Sequence, residues 1–146
     1  MRDAIGQVFT LQIILALVLL INGYMAYSVN YTRAFRVKNQ IINIIEQYEG
    51  VENEEGKQKI NDYVARMNYE VSNALVNDAR SNGYECFKEG WCYKAHKVST
   101  ADGDGERTGT YYTVLTFVNI DIPVINKIIG LGSFLSVTGE TRTIYN

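Results

Sequence analysis

Charged positions are absent from the first part of the chain beyond Asp3, and they return only at Arg33. Within this run, GQVFTLQIILALVLLINGY (Gly6 to Tyr24) is almost wholly apolar. The uncharged run from Ala4 to Thr32 is longer than the roughly 20 residues that carry a helix across a bilayer core of about 30 Å. A secretory signal has a shorter apolar region that closes on small residues. Here Tyr24 and Tyr27 crowd the small-residue site around Ala26 and Ser28. The pattern predicts a retained single-pass membrane helix within residues 1–30.

Beyond it the apolar positions become periodic. Tyr31, Ala34, Val37, Ile41, Ile44 and Tyr48 recur at steps of three or four, Phe35, Ile42 and Ile45 widen the stripe, and Lys38, Asn39, Asn43 and Glu46 lie off it. That spacing predicts an amphipathic arm over residues 31–50, continuous with the membrane helix and stopped by Gly50 as its C′ residue. The charged VENEEGKQK interrupts the pattern. Ile60, Tyr63, Val64 and Met67, then Val71, Leu75 and Ala79, restore helical spacing for one or two helices, with a break expected near Asn68.

After Gly83 the period shortens. YECFKEGWCYKAHKVS is rich in aromatic residues, and TYYTVLTFVNIDI (Thr110 to Ile122) is dense in β-branched and aromatic residues, which favour strands. The intervening TADGDGERTG predicts a hairpin loop. Pro123 suits the first position of a short helix over PVINKIIGLG, and SFLSVTGETRTIY alternates as a final strand. Residues 51–146 should therefore form an α+β domain in which a small antiparallel sheet packs on the amphipathic helix.

Composition narrows the function classes. The 146 residues carry a formal net charge of −2 and only one proline, with 47% hydrophobic residues. That composition suits a folded chain with no basic footprint for nucleic acid. Cys86 and Cys92 are the only cysteines and are separated by five residues, too many for a zinc knuckle, and the single His96 cannot complete a four-ligand site. A local disulfide around Gly90 is the expectation. The segment DGDGE (Asp102 to Glu106) lacks the long ligand series of an EF-hand and reads as a solvated turn. No nucleophile with a paired acid is recognisable by spacing, so catalysis is not expected, and neither a cofactor nor a small-molecule substrate is implied.

Within the anchor, Gln12, Ala16, Gly23, Ala26 and Asn30 fall near one helix face. Small residues there let a second helix approach, and amides can bond across to it. Topology signals conflict. Arg33, Arg36 and Lys38 on the domain side would hold the domain in the cytoplasm by the positive-inside count. The cysteine pair and the turn-rich sheet segment favour an extracytoplasmic domain, and this orientation is the one expected.

Three stretches together resemble the pilin and pseudopilin plan, closest to the TadE-like minor pseudopilins of tight-adherence pili. They are AIGQVFTLQIILALVLL, the arm RAFRVKNQIINIIEQYEG, and the closing VLTFVNIDIPVINKIIGLGSFLSVTGETRTIY. The resemblance implies a pilin-like fold in the cell membrane and a non-enzymatic role as a subunit of a pilus or secretion machine, with other pilin-like subunits as partners. It makes Gly6 the candidate site of leader-peptide processing. A cut after Gly6 would put Leu11 at the fifth mature position, where pilins carry a Glu. That departure favours an unprocessed or accessory subunit. The alternative is a membrane-tethered extracytoplasmic binding module.

Overall fold

A computed structural model of the chain describes residues 2–67, 73–102, 105–118 and 135–145. Among these, three helices come first: α1 (Arg2–Gln47), α2 (Glu54–Arg66) and α3 (Asn73–Ser81). Five strands follow: β1 (Glu85–Cys86), β2 (Trp91–Asp102), β3 (Gly105–Val118), β4 (Leu135–Glu140) and β5 (Ile144–Tyr145). They form one antiparallel sheet in the order β1-β2-β3-β4, with β5 also paired to β3. The α+β class expected from the sequence is observed. The helix expected after Pro123 and the break near Asn68 lie outside the described residues.

Helix α1 runs 46 residues through both the apolar span and the arm without interruption. Its end differs from expectation by one residue. Glu49, not Gly50, takes the left-handed C′ conformation (φ 55°), and the Gly50 N–H donates to the Ile45 carbonyl at 3.0 Å. This is the six-to-one bond of a Schellman turn, with Gly50 in the C″ place. A left-handed Glu costs about 1–2 kcal/mol. Gly50 is itself required, since its φ is +138° and a Cβ there would stand 3.1 Å from the Tyr112 hydroxyl. After this turn α2 starts on Asn53, whose side chain accepts from the Glu55 N–H, with Glu54 and Glu55 in the first turn and Arg66 in the last, as the helix dipole favours.

The arm stripe forms one half of the core. Val37, Ile41, Ile44 and Ile45 from α1 pack with Val51, with Ile60 and Val64 from α2, and with Trp91, Tyr112 and Val114 from the sheet. Trp91 sits at the centre, fully buried, donating to the Asn61 side chain at 2.9 Å and stacking on Phe87 with ring centroids 4.4 Å apart. Helix and sheet are also joined by hydrogen bonds: the Thr116 hydroxyl donates to the Ala34 carbonyl at 3.3 Å, and the Arg142 N–H donates to the Glu46 carboxylate at 2.8 Å.

The sheet is covered on both faces, by α3 as well as by the amphipathic helix expected to pack on it. Successive residues of a strand point to opposite sides. On β3, Tyr112 and Val114 face α1, whereas Leu115 and Phe117 join Cys92 and Ala79 beneath α3. The loop expected over TADGDGERTG is mostly strand, because β2 and β3 stay paired out to Asp102 and Gly105. The single closing strand is split. Between the pairs Thr113–Glu140 and Thr110–Ile144 the last strand has one residue more than β3, and this bulge is tied by Thr141, which donates its N–H to the Tyr112 carbonyl and accepts the Tyr112 N–H on its hydroxyl. Lys38, off the stripe by periodicity, is buried too. Its stem lies over Gly139, where a Cβ would stand 2.8 Å from the Lys38 Cδ, and its ammonium sits 4.1 Å from the centroid of the Phe35 ring.

Candidate membrane and partner interface

The domain buries no described residue in the first two-thirds of α1, and its α2 comes alongside only the end of that stretch, at Ser28, Val29 and Thr32. From Gly6 to Arg33 no described residue is buried, and Leu20 is 73% exposed. This helix is long and apolar enough to cross a membrane, and none of its apolar window is used as core. The uncharged run from Ala4 to Thr32 measures about 43 Å at the helical rise. A bilayer with its headgroups measures about 40–45 Å. Tyr24, Tyr27 and Tyr31 occupy successive turns at the domain end of the run, all exposed, with Tyr27 and Tyr31 stacked at 6.1 Å. Aromatic residues at that level match the belts found where hydrocarbon meets headgroups.

All five residues proposed for helix packing lie on this free segment. At about 100° per residue, Gln12, Ala16, Gly23, Ala26 and Asn30 fall within an arc of about 80°. The same arc contains Ala34, Val37, Ile41, Ile44 and Tyr48. The line of small residues thus runs straight into the line that carries the domain. Two consequences follow. A second helix on the small-residue line would lie directly beneath the sheet, and the arm stripe itself is unavailable to a neighbour, since this chain's own sheet and α2 already fill it. Gly6 has open space around it, with nothing within 4 Å of a Cβ placed there.

Comparison of the chain with protein-family models, with curated proteins and with solved structures gave no match.

The domain itself carries the expected disulfide. Cys86 and Cys92 are direct cross-strand partners with an S–S bond of 2.05 Å, closing the turn in which Gly90 (φ +99°) donates to the Phe87 carbonyl. It fastens the short β1 to β2 beneath α3. Next to it the Tyr93 hydroxyl donates to the Glu85 carboxylate, and burial together with that carboxylate pushes the phenol well above its ordinary range. His96 lies on β2, stacked on Tyr111 at 4.7 Å. Among the described residues no group of three or more His, Cys, Asp or Glu side chains is placed to hold a metal ion. Asp104, central to DGDGE, lies outside them.

One feature escaped the sequence pattern. Helix α2 runs back along α1, with Gly56 against Tyr48 at one end and its last residues at the other. There a groove of about 560 Å³ opens between Ser28, Val29, Thr32 and Val37 of α1 and Tyr63 and Met67. Among the described residues of its lining, Arg33 and Arg36 supply the only charged side chains. The signal for it was the pair of arginines just after the apolar run, which weighed in the sequence only as a topology count.

Proposed function

We propose that the chain is a non-enzymatic structural or assembly subunit, a membrane-anchored pilin-like component of a surface pilus or secretion machine, with its α+β domain on the extracytoplasmic side. The observation that carries this reading is the single rod of α1, apolar and unburied over its first two-thirds and then, on the same arc, committed to the domain. A rod of this kind fixes the rotation of the domain relative to any helix packed on the small-residue line. A flexible tether would leave that rotation free. The Cys86–Cys92 bond supports the extracytoplasmic side, since disulfides persist in oxidising compartments.

Gly23→Leu tests the reading. A bulky side chain on the small-residue line pushes a neighbouring helix away, while Gly23 is far from the core. Membrane insertion, the disulfide and protease resistance of the domain should be unchanged, and crosslinking between subunits and the yield of assembled appendage should fall. Unchanged crosslinking and assembly would favour a tethered binding module. Thiol labelling of intact cells tests the bond, since cysteines that label fully without reductant would remove the disulfide, and a reporter fusion active only in the cytoplasmic orientation would reverse the topology.

A further inference from the structure

The groove at the foot of the domain has the composition and depth of a lipid headgroup site. Its walls mix apolar and polar side chains, with Val29, Val37 and Met67 beside Ser28, Thr32 and Tyr63. Arg33 and Arg36 are one turn apart, so they project on the same side of α1. Among the described residues no carboxylate lines the groove, and the one ion pair is Lys57–Glu54, elsewhere on α2. The guanidinium fork matches phosphate oxygens two at a time. Given the anchor, the depth is fixed independently. The uncharged run equals the thickness of a bilayer with headgroups, the tyrosines mark its domain-side border, and Arg33 is the first residue past it.

From these observations we infer that the groove holds the phosphate of an anionic phospholipid from the leaflet on the domain's side, between Arg33 and Arg36. The site rests on α1 being a membrane span. It gives the two arginines a task on that side of the bilayer, so their count no longer argues for a cytoplasmic domain. A bound headgroup would also fill the wedge between α1 and α2, coupling the lipid to the angle at which the domain stands on its rod.

Native mass spectrometry of the full chain in mild detergent provides the test, with phosphatidylglycerol, phosphatidylcholine and inorganic phosphate offered in separate arms. Retention of phosphatidylglycerol should exceed that of phosphatidylcholine by roughly fivefold per arginine engaged, and inorganic phosphate should not be retained. In Arg33→Gln/Arg36→Gln the preference should fall to near parity. In Lys88→Gln/Lys97→Gln, which removes equal charge from the exposed side of the sheet domain, it should persist. Equal retention of both lipids by the wild type would overturn the site, as would equal loss in the lysine variant or retention of free phosphate at the same level. Flotation with phosphatidylcholine vesicles after alkaline wash reads the anchor separately: a chain that does not float removes the membrane span itself, whereas one that floats without lipid preference removes only the groove. Circular dichroism melting of each variant, expected to be unchanged, reports folding.

Discussion

Leu17 and Ile41 are both apolar residues of α1, both in regular helix, yet Leu17 is 55% exposed and Ile41 is fully buried. The difference lies in what the rest of the chain can reach. The sheet and α2 bury the helix from Ala34 onward, and no described residue before it is buried. Hydrophobicity alone therefore does not say whether a helix is core or anchor. The decisive information is whether the apolar surface is a stripe, which a sheet can cover from one side, or goes all round, which only lipid or several neighbours can satisfy.

Exchanging the two environments breaks the comparison most sharply. Ile41→Asp puts a carboxylate into the centre of the core, at an expected cost upward of about 4 kcal/mol, most of the stability of a small domain. Limited proteolysis should show the domain unfolded while the chain still fractionates with membranes. Leu17→Arg is the converse. A charge at the centre of a span costs about 2.5–3.5 kcal/mol on insertion scales, so membrane fractionation should be lost while any protein recovered keeps a protease-resistant domain. If either variant shows the other's phenotype, the division near Ala34 is misplaced.

Smaller effects sharpen the domain side. Replacing both cysteines, Cys86→Ala/Cys92→Ala, should cost roughly 2 kcal/mol for so short a loop, read as a lowered denaturant midpoint with insertion unaffected. The smallest effect expected is a pH dependence. The Tyr93 phenol is raised in the folded state above its unfolded value of about 10. Folding therefore favours the protonated form, and the contribution is complete below about pH 10 and declines above it. Thermal melting at rising alkaline pH should show that decline, and Tyr93→Phe should make it shallower. An identical alkaline slope in the variant would dissociate Tyr93 from it.

The sequence was legible where a pattern repeats. The uncharged run and the arm stripe announced α1, and the β-branched stretch announced β3. It was less legible where a single contact decides. Lys38 looked solvent-facing by periodicity, and only the glycine at 139 makes room for its stem. Gly50 looked like the helix stop, whereas the close approach of Tyr112 reserves glycine for the next position and leaves the left-handed turn to Glu49. Trp91 gave no periodic signal, being one residue in a mixed aromatic segment, yet it fills the centre of the core. The second covered face of β3 was hidden for a related reason. Tyr112 to Phe117 reads as a continuous buried run, which implies cover on both sides, but nothing local says that α3 supplies it.

The hydrogen bonds that lock the sheet onto α1 join residues far apart along the chain, Ala34 to Thr116 across 82 positions and Glu46 to Arg142 across 96. During synthesis the rod is therefore complete long before its cover exists. On the proposed membrane reading, that interval leaves a helix whose first part is held by lipid while its upper stripe, Val37 to Ile45, still lacks the sheet that covers it. In that reading the headgroup region is the nearest surface on which the stripe can rest, and the membrane would serve the arm as a temporary partner until β3 and β4 arrive to displace it.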